Sequence, residues 1–230
     1  MKKIGLIGGT GPESTLVYYK EINTICNKKC GGNAFPEMAV ESLNLFKALE
    51  LVKDNKLDEL ADYIAGKIDS LVRGGAEIVA LTAATMHVVY ERLKPKVSVP
   101  FISIPETVAD EAAARGYKKI GLLGTIFTME QDYLKKPVEM RGVQVSVPSS
   151  EDRKTVNSII GGELEFGVVK PESVEKLVGV INRMKAENGI EAVILGCTEL
   201  PLALNGKNCP VPPLDIMQLH IEKLCNLISD

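Results

Sequence analysis

Cys197 stands in the run Gly196-Cys197-Thr198-Glu199, where the apolar stretch Val193-Ile194-Leu195 stops and a helical pattern follows. A thiol at a helix N-terminus faces the positive end of the helix dipole, and its ordinary pKa of about 8.5 falls toward neutrality there. The resulting thiolate is a base or nucleophile at cell pH. Three other tips are built alike: Gly8-Gly9-Thr10, Thr82-Ala83-Ala84-Thr85-Met86-His87 and Gly124-Thr125. Each sets backbone N–H groups at a helix start beside hydroxyls, a combination that holds a carboxylate. In open α/β sheets ligands bind beyond the carboxyl ends of the strands. One glycine-threonine tip is ordinary turn chemistry, but four in matching places point to a site.

The tips match because the chain repeats itself. Ile4-Gly5-Leu6-Ile7-Gly8-Gly9-Thr10 returns as Ile120-Gly121-Leu122-Leu123-Gly124-Thr125, and Val79-Ala80-Leu81-Thr82 returns as Val193-Ile194-Leu195-Gly196. Strand-like runs at 3–7, 38–43, 78–81, 101–103, 119–123, 143–146, 192–195 and 211–214 alternate with helical patterns. The helices are predicted over 13–29, 56–72, 86–93, 104–115, 129–140, 156–165, 171–187 and 215–228. Leu57, Leu60, Ala61, Ile64, Ile68, Leu71 and Val72 form one apolar stripe at helical spacing. Short, continuous apolar strands suit a parallel sheet covered on both faces. The fold class is therefore α/β. Two pseudo-symmetric lobes are expected, residues 1–98 plus 210–230 and residues 99–209, with the active site between them.

Several functions are excluded. The net charge of −3 gives no electrostatic case for nucleic acid or an anionic membrane. No apolar run approaches the roughly 20 residues of a membrane span, and Met1-Lys2-Lys3 leads into a strand too short for a signal peptide. A protein of the cytoplasm is expected. Gly8-Gly9-Thr10-Gly11 lacks the G-x-G-x-x-G spacing of a dinucleotide site, and no Walker lysine follows. The cysteines are Cys26, Cys30, Cys197, Cys209 and Cys225, an odd number without paired C-x-x-C spacing. Cys26 and Cys30 stand four apart on a helix, but neither His87 nor His220 lies beside them in sequence. No metal is expected, and Cys26, Cys30 and Cys225 read as reduced, structural thiols.

In order and at matching distances, the chain carries Gly8-Gly9-Thr10-Gly11-Pro12-Glu13-Ser14-Thr15, Thr85-Met86-His87, Gly124-Thr125 with Thr128-Met129-Glu130-Gln131-Asp132, and Gly196-Cys197-Thr198-Glu199. These resemble the aspartate/glutamate racemase family over essentially the whole chain. The resemblance implies a cofactor-independent isomerase acting on a small amino acid, and usually a homodimer. One thiolate removes the α-proton and a second thiol on the opposite face returns one. The carbanion-like transition state then needs fixed donors around the carboxylate. Thr10, Thr85, Thr125 and Thr198 are the candidates. Thr128, in the matching run, and His87, near the first tip, are further candidates for substrate binding. Lys47, after the second strand, lies where relatives acting on acidic substrates present a basic residue.

The departure from the family lies at Ala83 and Ala84. The resemblance places Cys-Asn-Thr there, with the first base at Ala83, and only Thr85 agrees. Alanine moves no proton. Ala83 and Ala84 still line the expected substrate position, and Thr82 is the nearest hydroxyl to act as a proton carrier beside Cys197. Two other readings compete with the racemase: a one-base, decarboxylase-like enzyme, and a ligand-binding member impaired naturally or altered on purpose at these alanines.

Overall fold

The computed structural model describes residues 1–229, which divide into one unit of Met1–Ile104 with the chain from His220 and a second of Pro105–Leu219. The first unit opens with β1 (Ile4–Gly8), buried along its whole length. An apolar strand of this kind is stable only with both faces covered. α1 (Pro12–Lys29) starts with proline in its first turn, where a missing N–H costs nothing, and buries Ser14, Tyr18, Ile22 and Cys26. After β2 (Met38–Ser42), Asn44 caps α2 (Leu45–Lys53) by accepting the Lys47 N–H at 3.2 Å. α3 (Leu57–Arg73) buries Leu60, Ala61, Ile64, Ile68 and Leu71 of the predicted stripe and leaves Leu57 and Val72 at its ends partly exposed. Its buried leucines and isoleucines are each worth roughly 1.5–3 kcal/mol against exposure. β3 (Ile78–Leu81), a 3₁₀ turn over Thr85–Val89, α4 (Tyr90–Leu93) and β4 (Phe101–Ile102) complete the unit's own run.

The second unit repeats the plan. α5 (Ile104–Ala114) leads to β5 (Lys119–Leu123), the short α6 (Ile126–Glu130) and α7 (Lys135–Glu139), and β6 (Gln144–Ser146). α8 (Ser150–Gly162), a 3₁₀ turn over Leu164–Phe166 and α9 (Pro171–Asn188) precede β7 (Ala192–Leu195). α10 (Leu200–Ala203) and β8 (Pro213–Asp215) follow. The last helix, α11 (Ile216–Ser229), belongs to the first unit from His220 onward.

The sheets have the same topology, β2-β1-β3-β4 and β6-β5-β7-β8, all parallel. Strand order reverses between β1 and β3 and between β5 and β7. Register pairs Ile7 with Leu81 and Leu123 with Leu195, so within each unit two tips leave the sheet side by side. This reversal point is where an α/β sheet opens a crevice.

The strand pairing puts both crossings elsewhere than residues 98 and 209. β4 pairs with β3, which carries the chain through Ile104 with the first unit, and β8 pairs with β7, which keeps the segment before His220 with the second. The single helix expected over 129–140 is two. Gln131 is extended, and Pro137, lacking an N–H, cannot sit in the interior of a longer helix.

Candidate active site

In the first unit, Gly8 and Gly9 let the backbone turn hard against α1. A Cβ on Gly8 would lie 2.5 Å from Thr15 Cγ2, and Gly9 has a φ of 80°. Gly9 N–H donates to Thr15 Oγ1 at 3.1 Å, and that oxygen lies 3.3 Å from Thr82 Oγ1. Thr15 therefore ties the tip of β1 to the tip of β3. Thr82 is fully buried and its hydroxyl donates to the Ile7 carbonyl at 3.2 Å. A hydroxyl so engaged, and an alcohol in any case, is no proton carrier at neutral pH. Thr82 is a structural tie, and the expectation of a catalytic role for it is withdrawn.

Ala83 and Ala84 follow, 9% and 8% exposed, and their carbonyls accept from His87 Nδ1 at 3.1 and 3.2 Å. The Ile104 N–H donates to His87 Nε2 at 3.2 Å. A backbone N–H can only donate, so Nε2 is the bare nitrogen and Nδ1 carries the proton. Both ring nitrogens are used inside the fold, and the ring is 2% exposed. The expected substrate contact for His87 is thereby corrected: it positions the loop that carries Ala83 and Ala84. Burial pulls its pKa down to about 4. Thr10 and Thr85 remain partly exposed. Lys47 is exposed in the first turn of α2, its Nζ 4.3 Å from the centre of the Tyr63 ring.

In the second unit, Thr125 caps α6 by accepting the Thr128 N–H at 3.2 Å, and it keeps part of its surface open. Thr128 is buried, with its Oγ1 3.1 Å from Thr125 Oγ1 and 3.0 Å from the Tyr133 hydroxyl. It supports the tip from beneath, so its expected contact with substrate is also corrected. Gly196 N–H donates to the Leu123 carbonyl at 2.7 Å, which sets the Cys197 tip beside the Thr125 tip.

Cys197 itself is partly exposed, with the apolar core of the unit on one side. Its Sγ donates to Glu199 Oε2 at 2.7 Å, while Thr198 Oγ1 donates to Glu199 Oε1 at 2.8 Å. The expected lowering of the thiol pKa is reversed. Burial raises it most, the Glu199 carboxylate raises it further, and Glu165 adds to this. The helix dipole does not compensate because α10 has four residues and starts at Leu200, three positions beyond the sulfur. Glu199 is the neighbour of the thiol that motif reading passed over. Its signal was a carboxylate two positions from the thiol.

A cavity of about 570 Å³ lies along α1 and β2, lined by Tyr19, Phe35 and Met38 among others, and includes none of the tip residues. Among the described residues no cluster of three or more His, Cys, Asp or Glu side chains is arranged to hold a metal, and no helix is long and apolar enough to cross a membrane.

Comparison with known proteins agrees with this geometry. The family described as Asp/Glu/Hydantoin racemase matches residues 7–224. The chain is similar to an aspartate racemase homologue from Pyrococcus horikoshii, with 39% identity, a TM-score of 0.90 and all of both chains covered. It is also similar to a candidate Asp/Glu racemase structure from Yersinia pestis, with 31% identity, a TM-score of 0.95 and the same full coverage. The broad specificity amino-acid racemase RacX of Bacillus subtilis is 25% identical over 217 residues, 92% of each chain. The chain belongs to the Asp/Glu/Hydantoin racemase family, and isomerase is the enzyme class that membership gives.

Proposed function

We propose that this chain inverts the α-carbon of an amino acid by moving the α-proton through Cys197. The observation that carries the reading is the placement of the sulfur. It is partly exposed at the carboxyl end of β7, beside the Thr125 tip of β5, at the reversal point of its sheet. An α-proton is far less acidic than any side chain, so most of the catalytic effect comes from donors that hold the developing negative charge. Thr125, with the backbone N–H groups beside it in its own unit, is assigned to the substrate carboxylate. Thr198 spends its hydroxyl on Glu199 and contributes through its backbone. Lys47 is assigned to the side chain of an acidic substrate. The relatives include an aspartate racemase homologue and a broad specificity amino-acid racemase, and we assign aspartate, glutamate and a wider set as the substrates to test.

Ala83 supplies no acid for the opposite face. In this reading Cys197 returns a proton to the face it came from, and the other face draws its proton more slowly from water. The experiment is a panel of single L- and D-amino acids incubated with the protein and resolved by chiral chromatography. Conversion of at least one into its enantiomer is expected. A panel in which none converts contradicts the reading.

A further inference from the structure

Cys197 and Glu199 form a closed pair. The thiol donates to one carboxylate oxygen at 2.7 Å, and Thr198 fixes the other at 2.8 Å. Glu165, on the 3₁₀ turn Leu164–Phe166, is the other acid that raises the thiol pKa, and the Glu199 backbone N–H opposes the two only in part. Burial and two nearby negative charges leave little free thiolate at neutral pH. A base that exists only as a rare species is a slow base. The same geometry offers another route, because the thiol proton already points at an acceptor. Resting on the racemase reading, we propose that Cys197 acts as a relay and that Glu199 is the acceptor that lets it work.

The steps balance. As Sγ takes the α-proton, the substrate C–H bond breaks and a new S–H bond forms. The former thiol proton moves to Glu199 Oε2, where an O–H bond forms. The electron pair of the broken C–H bond stays on the substrate, so negative charge moves from the carboxylate to the carbanion held by the tip donors. Reversal delivers a proton from sulfur to carbon and restores the Glu199 carboxylate. No free thiolate appears at any stage. Glu199 acts through the sulfur and is a positioning residue. Thr198 holds the carboxylate so that the receiving oxygen faces the thiol.

The relay separates two quantities that a free-thiolate route ties together. Alkylation of Cys197 by iodoacetamide, followed at that cysteine by peptide mass spectrometry, needs thiolate and rises about tenfold per pH unit below the thiol pKa. Turnover through the relay needs thiol and carboxylate together, and does not climb with pH as alkylation does. In Glu199→Gln, alkylation shifts to lower pH because a negative charge is gone. Turnover at neutral pH falls by about 100-fold, the scale of a lost acid–base group, and what remains rises with pH alongside alkylation. Turnover of the unaltered protein that climbs in step with alkylation overturns the relay. So does a Glu199→Gln protein that turns over as well as the unaltered one. If Glu199→Gln does not fold, the two profiles of the unaltered protein decide alone. Absence of turnover in every arm, on all substrates, overturns the racemase reading and the relay with it. Turnover that tracks alkylation overturns the relay only.

Discussion

His87 and His220 are both buried, and each is locked as one neutral tautomer. His220 donates from Nε2 to the Ile102 carbonyl at 3.1 Å and accepts the Tyr18 hydroxyl at Nδ1, 2.7 Å away. Burial lowers the pKa of His87 to about 4 and, with the nearby His87, that of His220 to about 3. An unfolded histidine titrates near 6.5, so below that pH the unfolded chain binds more protons than the folded one and stability falls with pH. The loss begins near pH 6.5, ends near each folded pKa, and reaches about 1.4 kcal/mol per pH unit for each histidine. Urea unfolding between pH 7 and about 4.5 checks this, and a flat profile contradicts it. Ala83 carries a second prediction at this scale. Replacing it by cysteine, Ala83→Cys, supplies the missing acid and is expected to raise inversion by tenfold or more relative to α-proton exchange. An unchanged ratio means that position 83 does not face the reacting carbon. The two corrected threonines show why residue roles were only partly legible. Thr82, Thr125 and Thr128 look alike in sequence, and only the register decides which hydroxyl points inward and which stays open.

The strand tips depend on how tightly the helices that follow β1 and β5 lie against those strands. Gly8 and Gly124 sit under Thr15 and Thr128, with a Cβ meeting methyl carbons at 2.5 and 3.0 Å. Gly8→Ala is expected to destabilise the protein by roughly 1–3 kcal/mol, the usual cost of overpacking. Adding Thr15→Ala, which removes both colliding atoms, should cost less than the two single changes summed. Additive losses in thermal unfolding would show that Thr15 is not what meets the new methyl. The strands were legible because each is a short apolar run closed by glycine or a hydroxyl residue. α2 was not legible: exposed Phe46 and Leu49 break its apolar stripe, and its start is marked by Asn44 alone. The split at Gln131 was hidden because apolar spacing runs through 129–140, while the break comes from Pro137.

At the scale of the whole chain, the duplication was written in the sequence and the boundaries between units were not. Which sheet takes β4 and β8 is decided by backbone pairing, to which two- and three-residue strands give almost no side-chain signature. The C-terminal segment completes the first unit: Leu224, Cys225 and Ile228 are fully buried, Lys2 N–H donates to the Ile228 carbonyl at 3.0 Å, and Lys29 pairs with Asn226. Burial of Leu224 and Ile228 is worth roughly 1.5–3 kcal/mol each, a large part of a domain's net stability. Truncation after Leu219 is therefore expected to abolish amide protection in β1 and β3, read by hydrogen exchange. Retained protection would mean that the first unit folds without that helix.

The central claim is that one sulfur carries the α-proton, and it is tested most directly in deuterium oxide. The unaltered protein is predicted to place deuterium at the α-carbon of its substrate, seen as loss of the α-proton signal by NMR. Cys197→Ala, with its fold verified, is predicted to leave that signal intact. Deuterium incorporated at an undiminished rate by Cys197→Ala would contradict the account.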